Sequence, residues 1–195
     1  KLLKNHLTCE ADAIGAINCL FRDTNGELTG TNTDGEAALK CLIDEYGSIK
    51  TKNVLILGFG GVGKAVTAYI AKELNHNSIL YVASRSQIGN ETKNKRVDKY
   101  IEIREINEYI DSIDIVINCT SVGWSNQENE SPLNSGTFNR LKENSFIYDV
   151  IYQPLETKLL QIATMKKIKS MNGLSMNLEQ AVLAFGYASP DLISS

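Results

Sequence analysis

The chain has 195 residues, with 20 Lys+Arg against 23 Asp+Glu and a formal charge of −3. At ~100–200 residues per domain, that length is one large domain or one and a half. Hydrophobic residues at 43% and charged residues at 22% exclude a disordered tail, and the slightly acidic balance excludes nucleic acid as the main partner.

The opening, Lys1 to His6, has no signal-peptide core and no Met, which reads as a processed or trimmed end. Residues 1 to 13 carry helix-like spacing, with Leu3 and Leu7 four apart. The apolar run Ile14 to Phe21 reads as a strand, and Asp23-Thr-Asn25-Gly26 turns it into a hairpin. Asn32-Thr33-Asp34-Gly35 opens a helix through Tyr46 that stops at Gly47, with Ala38, Leu39, Leu42 and Ile43 on one face. From Asn53 strands and helices alternate. Val54 to Leu57 is a fully apolar strand, followed by a glycine loop and a helix from Lys64 to Asn75. Strands follow at Ile79 to Ala83, Tyr100 to Ile103, Asp114 to Asn118, Ser145 to Asp149 and Ile168 to Met171. Helical patterns cover Leu155 to Lys166 and Leu174 to Tyr187, and the polar stretch 87–99 is a short helix or a loop. The alternation predicts an α/β fold, a Rossmann-like doubly wound parallel sheet with helices on both faces.

No run approaches the ~20 apolar residues of a membrane helix, so no membrane partner is expected. Cys9, Cys19, Cys41 and Cys119 lie far apart with no Cys-x-x-Cys pair. Buried free thiols in a reducing cytoplasm are expected, and a metal site is not. His6 and His76 lie in polar surroundings and make poor candidates for a catalytic dyad.

Gly58-Phe59-Gly60-Gly61-Val62-Gly63 lies directly after an apolar strand and opens a helix, where a dinucleotide fingerprint belongs. The first glycine permits the turn, the second lets a pyrophosphate approach, and the third lets helix and strand pack. The helix N-terminus adds free N–H groups and partial positive charge. The same residues through Lys64 read G-x-x-x-x-G-K, a nucleoside-triphosphate loop. Ala65, however, stands where that loop needs a magnesium-binding hydroxyl. The next strand ends in Ser84-Arg85-Ser86 with no carboxylate for ribose hydroxyls. A guanidinium between hydroxyls suits a 2′-phosphate, which favours NADP(H) over NAD, a solvated arginine being the alternative.

Other polar residues collect at the same end of the sheet. Asp34 suits a helix N-cap, but that explains one residue of a polar run. Asn18 interrupts an apolar segment, Thr120 follows the Asp114 to Asn118 strand, Tyr152 follows the next strand, and Gln180 lies inside an apolar helix.

The ordered motifs Gly15-Ala-Ile-Asn18, Asn32-Thr33-Asp34-Gly35, Gly58 to Gly63, Ser84-Arg85-Ser86, Asn118-Cys-Thr120-Ser121-Val-Gly123, Asp149-Val-Ile-Tyr152 and Gly173-Leu-x-Met176-x-x-x-Gln180-Ala181 resemble those of shikimate dehydrogenases. The resemblance covers essentially the whole chain and implies NADPH-dependent reduction of 3-dehydroshikimate to shikimate, on the route to aromatic amino acids. It implies substrate contacts at Asn18, Asp34, Tyr152 and Gln180, with Asp34 as half of a catalytic Asp–Lys pair. It implies a cofactor surface of Gly58, Phe59, Gly60, Gly61, Val62, Ser84, Arg85, Ser86, Thr120, Val150 and Gly173. The family's lysine lies upstream of the first helix, and neither Lys1 nor Lys4 matches its place. The implied layout is a remnant of the substrate domain at 1–34, an NADP-binding domain at 35–172, and a C-terminal helix at 173–195 returning to the partial second α/β domain. On this reading the chain is inactive alone, and the upstream segment or a second copy is its protein partner. An NAD-dependent quinate/shikimate dehydrogenase and a non-catalytic NADP-binding subunit are the alternatives. Ser84, where the family usually has Asn, and Trp124, where Met is common, depart from the pattern.

Overall fold

Residues 54 to 57 are apolar at every position, and the two-residue period of a strand sends them to opposite faces. Val54 and Ile56 enter one core, and Leu55 and Leu57 enter another. A sheet buried on both sides follows. The computed structural model describes residues 6–85, 88, 89 and 94–189. Its elements begin with α1 (Cys9–Ile14), β1 (Cys19–Arg22), β2 (Leu28–Thr31), α2 (Asp34–Tyr46), β3 (Val54–Leu57) and α3 (Gly61–Glu73). They continue with β4 (Leu80–Ser84), β5 (Lys99–Glu102), β6 (Ile115–Asn118), α4 (Ser135–Phe138), β7 (Phe146–Asp149), α5 (Lys158–Met165), β8 (Lys169–Met171) and α6 (Leu174–Ala188).

The six-stranded sheet has the order β5-β4-β3-β6-β7-β8 and is parallel throughout. The chain winds outward from β3 in one direction and then restarts at β6 in the other, so the loops after β3 and β6 diverge and leave a crevice. Central strands β3, β6 and β7 are buried at every residue, while the edge strands β5 and β8 are partly exposed. One face packs on α2, α3 and α6 through Leu42, Val66, Ile70 and Met176. The other packs on Ile106, Ile110 and Ile113 from 3₁₀ turns, with Phe138 of α4 and Leu159 and Leu160 of α5. Those turns, at Ile103–Glu108 and Ile110–Ser112, were not foreseen. The recurrence of Ile103, Ile106, Ile110 and Ile113 at three- and four-residue steps was their signal.

The N-terminal region differs from its sequence reading. Among the described residues of this region only Cys9–Ile14 is helical, capped by the Thr8 hydroxyl and ended by Gly15 at φ 70°; Leu3 lies outside the described residues. Leu7 instead forms a bridge to Gly30 beside the hairpin. The strand of the apolar run therefore begins only at Cys19, and β1 pairs antiparallel with β2. The hairpin turns at Asp23, whose carboxylate accepts the N–H groups of Asn25 and Glu27 at 2.9 and 3.0 Å. Helix α3 starts at Gly61, three residues earlier than expected, because Gly60 serves as its cap. Helix α5 starts only at Lys158, where the Thr157 hydroxyl caps it. Of the thiols only Cys41 is buried; Cys19 and Cys119 are half-buried and Cys9 is exposed, all four free.

Two close contacts fix this frame. A Cβ on Gly35 would lie 2.4 Å from the Ala65 carbonyl oxygen and 2.5 Å from the Tyr69 ring, so only glycine lets α2 settle onto α3. At the carboxyl ends of β6 and β7, Asn118 and Asp149 stand in register and are wholly buried. The Asn118 amide donates to Asp149 Oδ1 at 3.0 Å, the Thr157 hydroxyl donates to Asp149 Oδ2 at 2.6 Å, and the Ile151 N–H adds a bond at 3.2 Å. Burial raises the Asp149 pKa, and the bonds from Thr157, Ile151 and Asn118 draw it partly back.

Helix α6 carries an uncovered apolar stripe of Leu174, Leu178, Val182 and Phe185, and Ile17, Leu20 and Leu28 are exposed around the hairpin. Phe21 and Tyr187 stack with ring centroids 4.9 Å apart and tie hairpin to helix. The Lys40–Glu179 ion pair at 2.6 Å ties α6 to α2. No described helix is long and apolar enough to cross a membrane.

Gly35→Ala is expected to cost ~2 kcal/mol of stability through overpacking, read as a lower urea midpoint. Asp149→Ala is expected to cost about 3 kcal/mol, since it strands three buried donors. A carboxyl with a raised folded pKa adds stability below its unfolded value of ~3.9 and loses it as pH climbs through the folded value. Asp149→Asn, which cannot ionise, should flatten the urea-midpoint profile across that window.

Candidate active site

The chain leaves β3 through Gly58, whose φ of 91° lies in the left-handed region. A Cβ there would also stand 2.9 Å from the Cys119 carbonyl oxygen, where the loops after β3 and β6 meet. Gly63 packs α3 against that loop, since its Cβ would fall 2.3 Å from the Gly58 oxygen. Gly60 faces open space, as an approaching pyrophosphate requires. No acidic residue occupies the first turn of α3, so its positive end is unopposed. Ala65 is wholly buried against α2, which turns the hydroxyl-bearing position of a triphosphate loop away from the opening.

A cleft of about 520 Å³ opens at this switch point. Gly58, Phe59 and Gly60 form one wall with Lys64, Ser84 and Arg85 close the β4 end, and Thr120 and Ser121 form the wall after β6. Lys64 and Arg85 give the lining two cations, and the described lining holds no carboxylate. Lys64 was not singled out as a contact in the sequence, although the G-x-x-x-x-G-K spacing marked it. Ser86 lies outside the described residues.

The remaining expected cofactor positions divide. Thr120 lines the cleft, but its hydroxyl donates to Asn118 Oδ1 at 2.7 Å and accepts the Val122 N–H at 3.1 Å, so it shapes its own loop. Gly61 and Val62 begin α3, and Val62 and Val150 both pack against the same core. Val150 and Gly173 touch each other: a Cβ on Gly173 would overlap the Val150 carbonyl oxygen at 1.9 Å. Neither lines the cleft. The Asn118–Asp149–Thr157 network was missed as a unit; a polar residue ending each of two apolar strands was its signal.

Asp34 is the first residue of α2 and not its cap. Thr33 holds the cap position, its side chain making no bond to the helix N–H groups. The Asp34 carboxylate instead accepts the Asn18 amide at 2.7 Å. The same amide donates to Thr33 Oγ1 at 3.1 Å, and Asn18 Oδ1 accepts the Thr33 N–H at 3.0 Å. Asn32 Oδ1 accepts the Asp34 N–H at 3.0 Å, while the Asn32 amide reaches the Ala16 carbonyl at 3.3 Å. The polar run is thus one interlocked loop. Its place follows from its neighbours, since Gly35 rests on Ala65 and Ala16 lies 3.9 Å from a Cβ built on Gly61. Asp34 therefore sits at the amino end of α3, beside the cleft. Burial pushes its pKa up, and the Asn18 bond pulls it partly down. Withdrawal from water raises the Cys119 pKa, and the carboxylates of Asp149 and Asp34 raise it further, so this thiol stays protonated.

Tyr152 is exposed after β7, and Gln180 donates to the Asn177 carbonyl of its own helix at 3.0 Å. Among the described residues no hydrogen bond joins either of them to the Asn18–Asp34 pair.

The family model described as Shikimate / quinate 5-dehydrogenase matches residues 41–154. A shikimate dehydrogenase (NADP(+)) of Methanocaldococcus jannaschii is 32% identical over 180 residues, covering 90% of this chain and 63% of the relative. A shikimate dehydrogenase crystallised in complex with NADP+ superposes with a TM-score of 0.79 at 31% identity, over 93% of this chain and 64% of that one. Shikimate 5-dehydrogenase from Listeria monocytogenes, in complex with shikimate and NAD, gives 0.82 at 27% identity over 97% of this chain and 68% of that one. The chain spans less than two thirds of the length of curated relatives such as that of Methanocaldococcus jannaschii. With the family model covering more than half of the chain, and the switch-point cleft and ordered loops in place, the chain belongs to the shikimate/quinate 5-dehydrogenase family.

Proposed function

We propose that the chain is the cofactor-binding portion of an NADPH-dependent shikimate dehydrogenase, reducing 3-dehydroshikimate to shikimate for aromatic amino acid synthesis. The observation that carries this reading is the Asn18–Asp34 pair, bonded at 2.7 Å, beside a glycine-loop cleft that bears two cations. Open space at Gly60, the bare amino end of α3 and the guanidinium of Arg85 fit a dinucleotide with a 2′-phosphate.

The dinucleotide, when bound, supplies the hydride for the carbonyl carbon. The chain's own residues then have separable tasks. Gly58, Phe59, Gly60, Gly61 and Val62 present backbone to the pyrophosphate, and Ser84, Arg85 and Ser86 hold the ribose end. Thr120 lines the wall after β6, and Val150 and Gly173, packed on each other behind that lining, back the site on the side of the reacting ring. Asn18, Tyr152 and Gln180 bind the substrate's hydroxyls. Asp34 keeps an ammonium charged and aimed at the reacting oxygen, which takes its proton from that ammonium as the carbonyl becomes an alcohol. The described residues place no ammonium beside Asp34, so the lysine comes from outside them, and residues 6–189 alone bind cofactor without turnover.

We divide the chain at 1–34, 35–172 and 173–195, the first and last parts belonging to the substrate domain. The stripe on α6 and the apolar residues of the hairpin suit cover by an α/β segment of the kind the longer relatives have length for, with a second copy as the other occupant. The free cysteines fit a reducing cytoplasm. A second reading, an NAD-dependent quinate/shikimate dehydrogenase, draws support from the Listeria relative crystallised with NAD.

Fluorescence titration of the chain with reduced nucleotides tests the cofactor assignment. Arg85→Ala is expected to weaken NADPH at least about tenfold and to leave NADH nearly unchanged; equal losses would remove the 2′-phosphate reading. In the full-length protein, Asp34→Asn is expected to lower kcat by about three orders of magnitude, and near-normal turnover would sink its catalytic role. Asn18→Ala removes the bond that lowers the Asp34 pKa. The carboxylate should then protonate at higher pH, seen as an upward shift in its side-chain NMR titration.

A further inference from the structure

One element of the glycine loop is left over by the dinucleotide fingerprint, namely the lysine that follows the third glycine. Lys64 belongs to the first turn of α3, and its N–H bonds to the Gly60 carbonyl at 2.9 Å. Side chains on a helix lean toward its N-terminus. From one turn below Gly60, Lys64 therefore leans toward the opening, and it lines the same cleft as Ser84 and Arg85. Among the described residues neither Lys64 nor Arg85 forms an ion pair. The described lining has no carboxylate to neutralise them. Two uncompensated cations in one cleft of a chain with formal charge −3 are a local reversal of sign.

A ribose 2′-phosphate is a dianion near neutral pH, and one guanidinium answers half of that charge. The pyrophosphate has its own partners in the loop N–H groups and the helix end. The lining that includes Lys64 also includes Ser84, Arg85, Ile88 and Gly89, at and past the end of β4. Lys64 therefore shares one cleft with the strand end at which a ribose phosphate is expected.

We propose that Lys64 is a specificity-determining residue whose ammonium, opposite the Arg85 guanidinium, brackets the 2′-phosphate of NADP(H). Selectivity is then a two-cation device spanning α3 and the end of β4. The inference rests on the NADP reading above and goes beyond it, since that reading needs only Arg85.

The test is binding of NADPH, NADH, 2′,5′-ADP and 5′-AMP to the full chain, measured by fluorescence for the reduced nucleotides and calorimetry for the fragments. K64Q is expected to weaken NADPH and 2′,5′-ADP about tenfold with NADH and 5′-AMP unchanged. K64R should retain the preference, and K64Q combined with R85Q should abolish it. Equal weakening of NADPH and NADH by K64Q would put the ammonium on the pyrophosphate and overturn the proposal, as would unchanged NADPH binding. Both of those outcomes leave the NADP reading standing if R85Q alone still discriminates. A wild-type chain that prefers NADH overturns the reading and the inference together. An unchanged thermal midpoint for K64Q keeps a folding defect from imitating the result.

Discussion

The backbones of α2 and α3 touch where Gly35 lies under Ala65, and the carboxyl edge of the sheet is organised by that contact. Helix α3 is fixed to β3 by the glycine loop, so whatever rides on α2 inherits the position of the loop. Asp34 is the residue that rides there, one position before Gly35. The Asp34 carboxylate and the backbone amides of the glycine loop are therefore held by a single helix pair. Neither can drift without breaking a contact in which there is no space for one methyl group.

Electrostatics at this edge are divided between the two sides of that pair. The cleft wall carries Lys64 and Arg85 without acids, whereas the adjoining ground holds Asp34 and Asp149 without described cations. The buried carboxylate is not idle. Through Asn118 and Thr157 it binds the loop after β6 to the loop after β7 and to the start of α5. A polar pair of this kind also fixes register, because a one-residue slip of β7 would turn Asp149 away from Asn118.

Much of this was legible in the sequence, and the limits have physical causes. The β3 strand and its glycine loop announce themselves because burial on both faces and a forced turn leave few residue choices. The parallel, doubly covered character of the sheet followed from alternation alone. From residue 6 the first helix was misplaced because Leu3 and Leu7 repeat at helical spacing, while the groups flanking Leu7, the His6 carbonyl and the Thr8 N–H, bond to Gly30, a partner that spacing cannot reveal. The Asp34 N-cap option failed for a related reason: Asn18, sixteen positions away, claims the carboxylate. Lys64 was visible as part of a competing motif and was set aside with it. Local patterns report backbone demands well and long-range side-chain partners poorly.

The two cations of the cleft also bear on how a ligand arrives. An acidic molecule repels anions at a distance, and a low-dielectric crevice lined with positive charge gathers field lines into a narrow channel through that repulsion. A polyanionic nucleotide would be captured from directions aligned with the switch point and deflected elsewhere. Its association rate would fall as ionic strength shortens the Debye length toward the width of the opening. On the proposed assignment the cleft is an antenna as well as a seat.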